Sequence, residues 1–286
     1  MRRLVASTTV LTAFLAAAPA LAAVSIHAHR GGSYVNGVPT FAENTLPAFR
    51  NAAGHGWVLE LDLRRTKDGQ PVVIHDDSLD RTTICSGPVR ARTLADIRRH
   101  CPSDVLGSPG SGLPSTTIAD PRQFVRLPTL GEVLALMRRT HAIANIEIKN
   151  IPIDSDYDAT NQFANSVVDA IAASGVPSRQ LIMQSFWPPT LDIVEQRLPA
   201  VATSLLTNEQ MNLGGPIFAA ARGYEWVSPQ FGNDFAAVAT TAHALGLRVV
   251  PWTLDTPADL RAAATGGADA VITDDPPMAA AASLVG

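Results

Sequence analysis

The feature that most limits what this chain can fold into is a repeated alternation of short apolar runs and amphipathic stretches. The runs are VSIHAHR (24–30), WVLELDL (57–63), AIANIEIK (142–149), QLIMQSF (180–186), AVATSLL (200–206), YEWVSP (224–229), LRVVPWTL (247–254) and DAVITD (269–274). Between most of them lie segments with helical periodicity, such as TLPAFRNAAGHG, TLGEVLALMRRT and NDFAAVATTAHALGL. Short strands alternating with helices predict a parallel sheet with helical crossovers. Eight such units predict a (β/α)8 TIM barrel in the α/β class. A doubly wound open sheet is the alternative. It would more usually carry G-x-G-x-x-G after its first strand, and HRGG does not match that pattern.

One segment breaks the rhythm. After LELDLRRT comes KDGQ and then PVVIHDD. Asp-Gly between two extended runs is a hairpin signal, not a crossover. Residues 63–75 are therefore expected to form a hairpin growing out of the second barrel strand, with its return arm bringing His75 beside Asp62. Residues 80–128, rich in Ser, Pro, Gly and Thr, read as an irregular, partly helical insertion. Residues 1–22 read as a secretory signal: Arg2 and Arg3, an apolar run too short to span a bilayer, and Ala20-Leu21-Ala22. Residues 23–286 then form a single barrel domain, exported to the periplasm or beyond the cell. An uncleaved membrane anchor is the other reading of 1–22. Export places Cys85 and Cys101 in an oxidising compartment, where they are expected to pair. The formal charge of −4 and the lack of a basic face argue against nucleic acid as a partner. No later segment is long and apolar enough for stable membrane insertion, and the oligomeric state is not readable.

The strands carry charge where a core would not. Strand side chains alternate faces. In LELDL the leucines point one way, and Glu60 and Asp62 the other; in IEIK the isoleucines oppose Glu147 and Lys149; His27 and His29 share a face in IHAHR. Apolar residues thus face the helices and ionisable ones the barrel axis, near the strand ends where barrel enzymes keep their sites. Converging carboxylates repel unless a cation sits among them. Oxygen ligands select one hard divalent cation, with Ca²⁺ favoured and Mg²⁺ the alternative. His29 and His75 fall near the carboxylates and suit general acid/base work. His27 lies deeper and reads as a packing residue. Only two of the chain's cationic side chains are lysines, and one is Lys149, at a strand end. Lys149 and Arg30 suit a phosphate, and Gly31 and Gly32 suit backbone approach to the same anion. No Walker A pattern is present, so a phosphodiester fits better than a nucleoside triphosphate.

The runs HRGG, AENTLPAF, LELDLRRTKDGQPVVIHDDSLDRTT, IEIK, QSF, WTLD and ITDDP resemble the glycerophosphodiester phosphodiesterases, of the phospholipase-C-like phosphodiesterase superfamily. The resemblance spans about residues 26–277. It implies a TIM barrel with an insertion after the second strand and a small-molecule phosphodiester substrate, cleaved to glycerol phosphate and an alcohol. It implies metal ligation by Glu60, Asp62 and Glu147, acid/base roles for His29 and His75, and phosphate contacts from Arg30 and Lys149. Glu43 would orient Arg30 or reach the metal region, and Trp252 would line the substrate pocket. The first loop and the insertion are long, placing Tyr34, Asn36 and Phe41 in reach of the pocket. The alternatives are a related phosphodiesterase acting on lysophospholipid or sphingolipid head groups, and a non-catalytic barrel that binds phosphate esters.

Overall fold

A computed structural model describes residues 24–282. The proposed signal segment lies outside the described residues. The barrel strands are β1 (Ser25–Ala28), β2 (Val58–Arg65), β3 (Ala144–Ile148), β4 (Leu181–Ser185), β5 (Ala202–Thr207), β6 (Trp226–Pro229), β7 (Arg248–Val249) and β8 (Ala270–Thr273). All pair in parallel, in the order β7-β6-β5-β4-β3-β2-β1-β8. Between β7 and β8 the ladder is interrupted where Pro251, which has no N–H, follows β7. Three backbone hydrogen bonds still join that gap: Asp269 to Val249, Ile272 to Pro251 and Leu254 to Ile272. The result is a nearly closed (β/α)8 barrel, as the alternation of runs predicts.

The outer helices are α1 (Leu46–Gly54), α2 (Leu130–Thr140), α3 (Gln162–Ser174), α4 (Pro188–Arg197), α5 (Gly215–Arg222), α6 (Phe235–Ala244), α7 (Pro257–Thr265) and α8 (Pro276–Ala281). Their starts follow local chemistry. Thr129 and Glu132 form a capping box on α2, and Thr256 caps α7 ahead of Pro257. The apolar strand faces pack outward on these helices. Leu59, Leu61 and Leu63 join Phe49, Val133, Met137 and Phe163 in one core. Leu205, Val227, Val249 and Val271 join Leu191, Phe235 and Leu260 in another. The inward faces of β1–β4 are free to carry polar groups because burial is already supplied on the outside.

Strand β2 outruns its parallel partner. Beyond Leu63 it continues to Arg65 and pairs antiparallel with a return arm, Pro71–Val73. The expected hairpin is therefore present, and it returns Ile74 to the backbone of Asp62. The insertion that follows contains one α-helix, Leu94–His100, and a two-stranded ribbon of Val105–Leu106 and Thr116–Thr117. Its own small core sets Leu79, Val89, Ile97 and Leu127 on Val72 and Ile74 of the hairpin. Cys85 and Cys101 are disulfide-bonded, with Cα atoms 5.2 Å apart. Closing a loop of that size stabilises the folded chain by about 3 kcal/mol in the chain-entropy account. The Cys85→Ser/Cys101→Ser double variant should lose about that much in urea unfolding monitored by circular dichroism.

Candidate active site

The site lies at the C-terminal mouth of the barrel, and its floor is a cluster of carboxylates. Glu60, Asp62 and Glu147 each offer an oxygen, and these oxygens all lie within 4.8 Å of one another. All three are buried. Register explains the meeting: Asp62 pairs with Glu147 across β2 and β3, and Glu60 sits two residues below Asp62 on the same face. The surroundings are built to hold negative charge. Lys149 Nζ lies 2.9 Å from Glu147 and 3.3 Å from Asp62. Asn44 Nδ2 donates to Asp62 at 2.8 Å, and Gln184 Nε2 donates to Glu60 at 2.8 Å. The Arg30 backbone N–H donates to Glu60 at 2.7 Å. One acceptor is left over: Glu147 Oε1 is buried with no partner. An orphaned carboxylate oxygen in an all-oxygen donor set is what a bound hard cation would satisfy. The residues present therefore fit the divalent cation expected from sequence.

The three carboxylates do not titrate alike. Burial and the charge of Asp62 push Glu60 up to about 8. Burial also raises Glu147, against the pull of Lys149. Burial acts on Asp62 in the same direction, but Lys149, His75 and Arg30 outweigh it and hold Asp62 well below the usual range. In the cation-free protein the cluster therefore retains a proton near neutral pH. A cation must displace that proton, so its affinity should rise as pH increases toward 8 and weaken below it. Calorimetric titration of Ca²⁺ in buffers of differing ionisation enthalpy should show proton release, greater at pH 6 than at pH 9.

Each histidine is fixed by an aspartate through Nδ1, leaving Nε2 as its free ring nitrogen. His29 Nδ1 lies 2.7 Å from Asp274, and His75 Nδ1 lies 2.7 Å from Asp76. Their electrostatics are opposite. Burial alone would lower His29, but the charge of the buried Asp274 raises it to about 9. Burial and the nearby Lys149 lower His75 to about 4. His27, by contrast, lies inside the barrel. Burial holds it neutral, lowered to about 3, and its Nδ1 accepts from Asn145, which also donates to Gln184. It is the packing residue that sequence suggested.

The remaining sequence candidates find defined places. His29 and Arg30 lie not on β1 but on the short turn that ends it. Arg30 adopts φ 51, which aims its N–H at Glu60. A Cβ on Gly31 would come within 2.7 Å of Ala48, one on Gly32 within 2.6 Å of Pro276, and the Gly32 N–H is spent on His29 O. Close packing and positive φ, 92 at Gly31 and 75 at Gly32, account for both glycines. Glu43 stands apart from the carboxylate cluster. It accepts from Arg30, from Ser108 and, through both oxygens at 2.8 Å, from Arg81. Burial opposes its ionisation, but the two guanidinium groups lower it to about 2. Of its two expected roles, the geometry provides the orientation of Arg30. Trp252 lines the cleft, edge-on to Phe186, with Nε1 donating to Ser228 O. Tyr34 does not reach the pocket: it is fully buried and ties the first loop to the insertion through Ser108.

Sequence reasoning assigned no role to Asp274, Asp76, Arg81, Asn44 or Gln184. Gln184 and Asp274 had the same signal as the carboxylates, a polar residue at an inward strand position or strand tip. Asp76 and Arg81 had none, because their partners are set by how the hairpin folds back.

Two cavities meet at the histidines. The inner one, of about 300 Å³, reaches Glu60, Glu147, Lys149, Phe186 and Trp252. The outer one, of about 400 Å³, is walled by Asp76, Arg81, Asp255, Asp274 and residues 109–111 of the insertion. His29, Arg30, His75 and Thr253 line both.

A parallel barrel with a buried carboxylate cluster, two aspartate-held histidines and paired cationic side chains at its mouth defines an enzyme of phosphate-ester chemistry. The model of the Glycerophosphoryl diester phosphodiesterase family matches residues 29–278, and the chain belongs to that family. It is 32% identical over 251 residues to a glycerophosphodiester phosphodiesterase of Caldanaerobacter subterraneus, an alignment covering 87% of this chain and 93% of the relative. It is 30% identical over 260 residues to one of Bacillus subtilis, covering 88% and 83%. Among solved structures, a putative glycerophosphoryl diester phosphodiesterase of Silicibacter pomeroyi superposes with TM-score 0.74 at 25% identity, covering 93% of this chain and 94% of that one. An Oleispira antarctica phosphodiesterase, in complex with its product sn-glycerol-3-phosphate, shares the fold with TM-score 0.72 at 21% identity, covering 90% and 96%.

The opposed histidines allow a direct check. Asp274→Asn removes the charge that raises His29, so its pKa should fall from about 9 to below the ordinary imidazole value, while His75 stays low. Ring-proton NMR titration of both histidines reads this out.

Proposed function

We propose that the chain is an exported, divalent-cation-dependent enzyme that hydrolyses glycerophosphodiesters to glycerol phosphate and an alcohol. The observation that carries this reading is the pair of aspartate-held histidines beside the carboxylate cluster, at the junction of the two cavities. A diester bridging that junction would place its glycerol in the inner cleft, against Trp252 and Phe186, and its alcohol in the outer cavity. Glu60, Asp62 and Glu147 would hold the cation, which supplies Lewis-acid stabilisation of phosphoryl charge. Ca²⁺ is the favoured ion. Arg30 and Lys149 would offset the remaining phosphate charge.

His75, neutral near pH 7, accepts the proton of the attacking hydroxyl through Nε2. That hydroxyl is the substrate's own, adjacent to the phosphoester, so the first product is a cyclic phosphate. His29, protonated and held by Asp274, donates from Nε2 to the departing alcohol. Water then opens the ring with the two histidines exchanging roles. Export rests on the pattern of residues 1–22 and agrees with the Cys85–Cys101 pairing.

The test is hydrolysis of glycerophosphocholine by EDTA-treated mature protein, with glycerol phosphate assayed during Ca²⁺ and then Mg²⁺ titration. Product should appear only with cation. His29→Ala and His75→Ala should each lower kcat/KM by about 10²-fold or more, and Glu60→Ala should abolish rescue by cation. Turnover of lysophosphatidylcholine in preference to glycerophosphocholine would reassign the substrate class. Near-normal rates in both histidine variants would overturn the acid/base assignment.

A further inference from the structure

The outer cavity contains a carboxylate that the catalytic reading does not use. Asp255, half-buried at the tip following β7, accepts through Oδ1 from the Asp274 N–H at 2.8 Å and from Thr273 Oγ1 at 3.2 Å. Among the described residues no cationic side chain forms an ion pair with it. The other charges of this cavity are spent on one another. Arg81 is divided between Glu43 and Asp76, Arg30 is held by Glu43, and His29 is held by Asp274. A second deficit lies alongside: Asp274 is 1% exposed, lines the same cavity, and its Oδ2 has no donor. His29 offsets the charge of Asp274 through its other oxygen, so the charge left without a contacting cation on the His29 side of the outer cavity is that of Asp255. Burial and the charge of Asp274 push Asp255 up to about 6, against the opposing pull of the nearby His29.

We propose that Asp255, with Asp274 behind it, selects diesters whose leaving alcohol carries an ammonium group, such as choline or ethanolamine. The inference rests on the phosphodiesterase reading and names the substrate class of that site. Geometry makes the selection a leaving-group property. Asp255 and Asp274 stand beside the histidine assigned to protonate the departing oxygen, whereas the far wall of the inner cleft offers Phe186, Trp252 and an Asp154 already paired with Arg64. An ammonium group a few ångströms beyond that oxygen would lie over the unpaired carboxylate, in a partly desolvated wall where the attraction is screened less than in bulk water. A quaternary ammonium has no N–H to give, so it needs charge and not a hydrogen bond. That suits a buried Oδ2 and a carboxylate whose other oxygen is already engaged.

The test compares three substrates on cation-loaded enzyme: glycerophosphocholine, its uncharged isostere with a tert-butyl group replacing trimethylammonium, and glycerophosphoglycerol. Wild-type kcat/KM should favour the choline ester over its isostere by about tenfold, falling as salt is raised. Asp255→Asn keeps the Oδ1 acceptor for the Asp274 N–H and removes only the charge, so that choline-to-isostere ratio should collapse toward unity whatever happens to the common rate. A merely structural role would lower all three substrates together and leave the ratio intact. Free choline should likewise inhibit glycerophosphoglycerol hydrolysis by the wild type, and the variant less. Equal wild-type turnover of the choline ester and its isostere would overturn the proposal without touching the phosphodiesterase reading. Absence of turnover on all three would overturn both.

Discussion

Everything at the mouth of this barrel follows from the decision to bury three carboxylates within reach of one another. Glu60, Asp62 and Glu147 are each at most 5% exposed. Isolated ionised carboxylates at such depth cost several kcal/mol each, so the surroundings must supply compensation. Lys149, the Arg30 backbone, Asn44 and Gln184 provide part of it. The chain of amides from His27 through Asn145 to Gln184 carries the requirement down into the barrel and explains why its interior is polar at a level where many barrels are aliphatic. The compensation is incomplete, as the unpartnered Glu147 Oε1 records, and the deficit has the sign and the donor chemistry of a hard-cation site.

A second layer of charge joins the loops to this centre. Glu43 receives Arg30 from the first loop, and Arg81 and Ser108 from the segment after the hairpin. Arg81 in turn holds Asp76, which holds His75. The insertion is thereby fastened to His75 at one end, while its disulfide and small core fasten it to the hairpin at the other. Support of this kind holds His75 in a fixed position beside the carboxylate cluster.

The two histidines show how nearly identical local geometry yields different chemistry. Both bind an aspartate through Nδ1 at 2.7 Å. Asp274 is buried and not otherwise neutralised by a cation, so its charge reaches His29 in full. Asp76 is shared with Arg81, and Lys149 adds positive charge near His75. The difference lies in the neighbours of the neighbours, which set the charge around each imidazole.

Much of this was legible in the chain. The alternation of apolar runs determined a parallel sheet with crossover helices, and the count of eight units pointed to a closed barrel over an open sheet. Period-two placement determined which residues of β2 and β3 face the axis, since a pleated strand permits no other choice. Those two facts brought Glu60, Asp62, Glu147 and Lys149 together. Asp-Gly in KDGQ fixed the hairpin that returns His75. What the sequence alone could not decide were pairings among residues remote along the chain and on irregular backbone: Asp274 with His29, Arg81 with Glu43 and Asp76, and the packing use of Gly31 and Gly32. No periodicity constrains a loop. Its side-chain partners are set only when the barrel closes β8 against β1 and the insertion settles on the hairpin, and there the tertiary structure decided which ionisable groups are paired and which are left free.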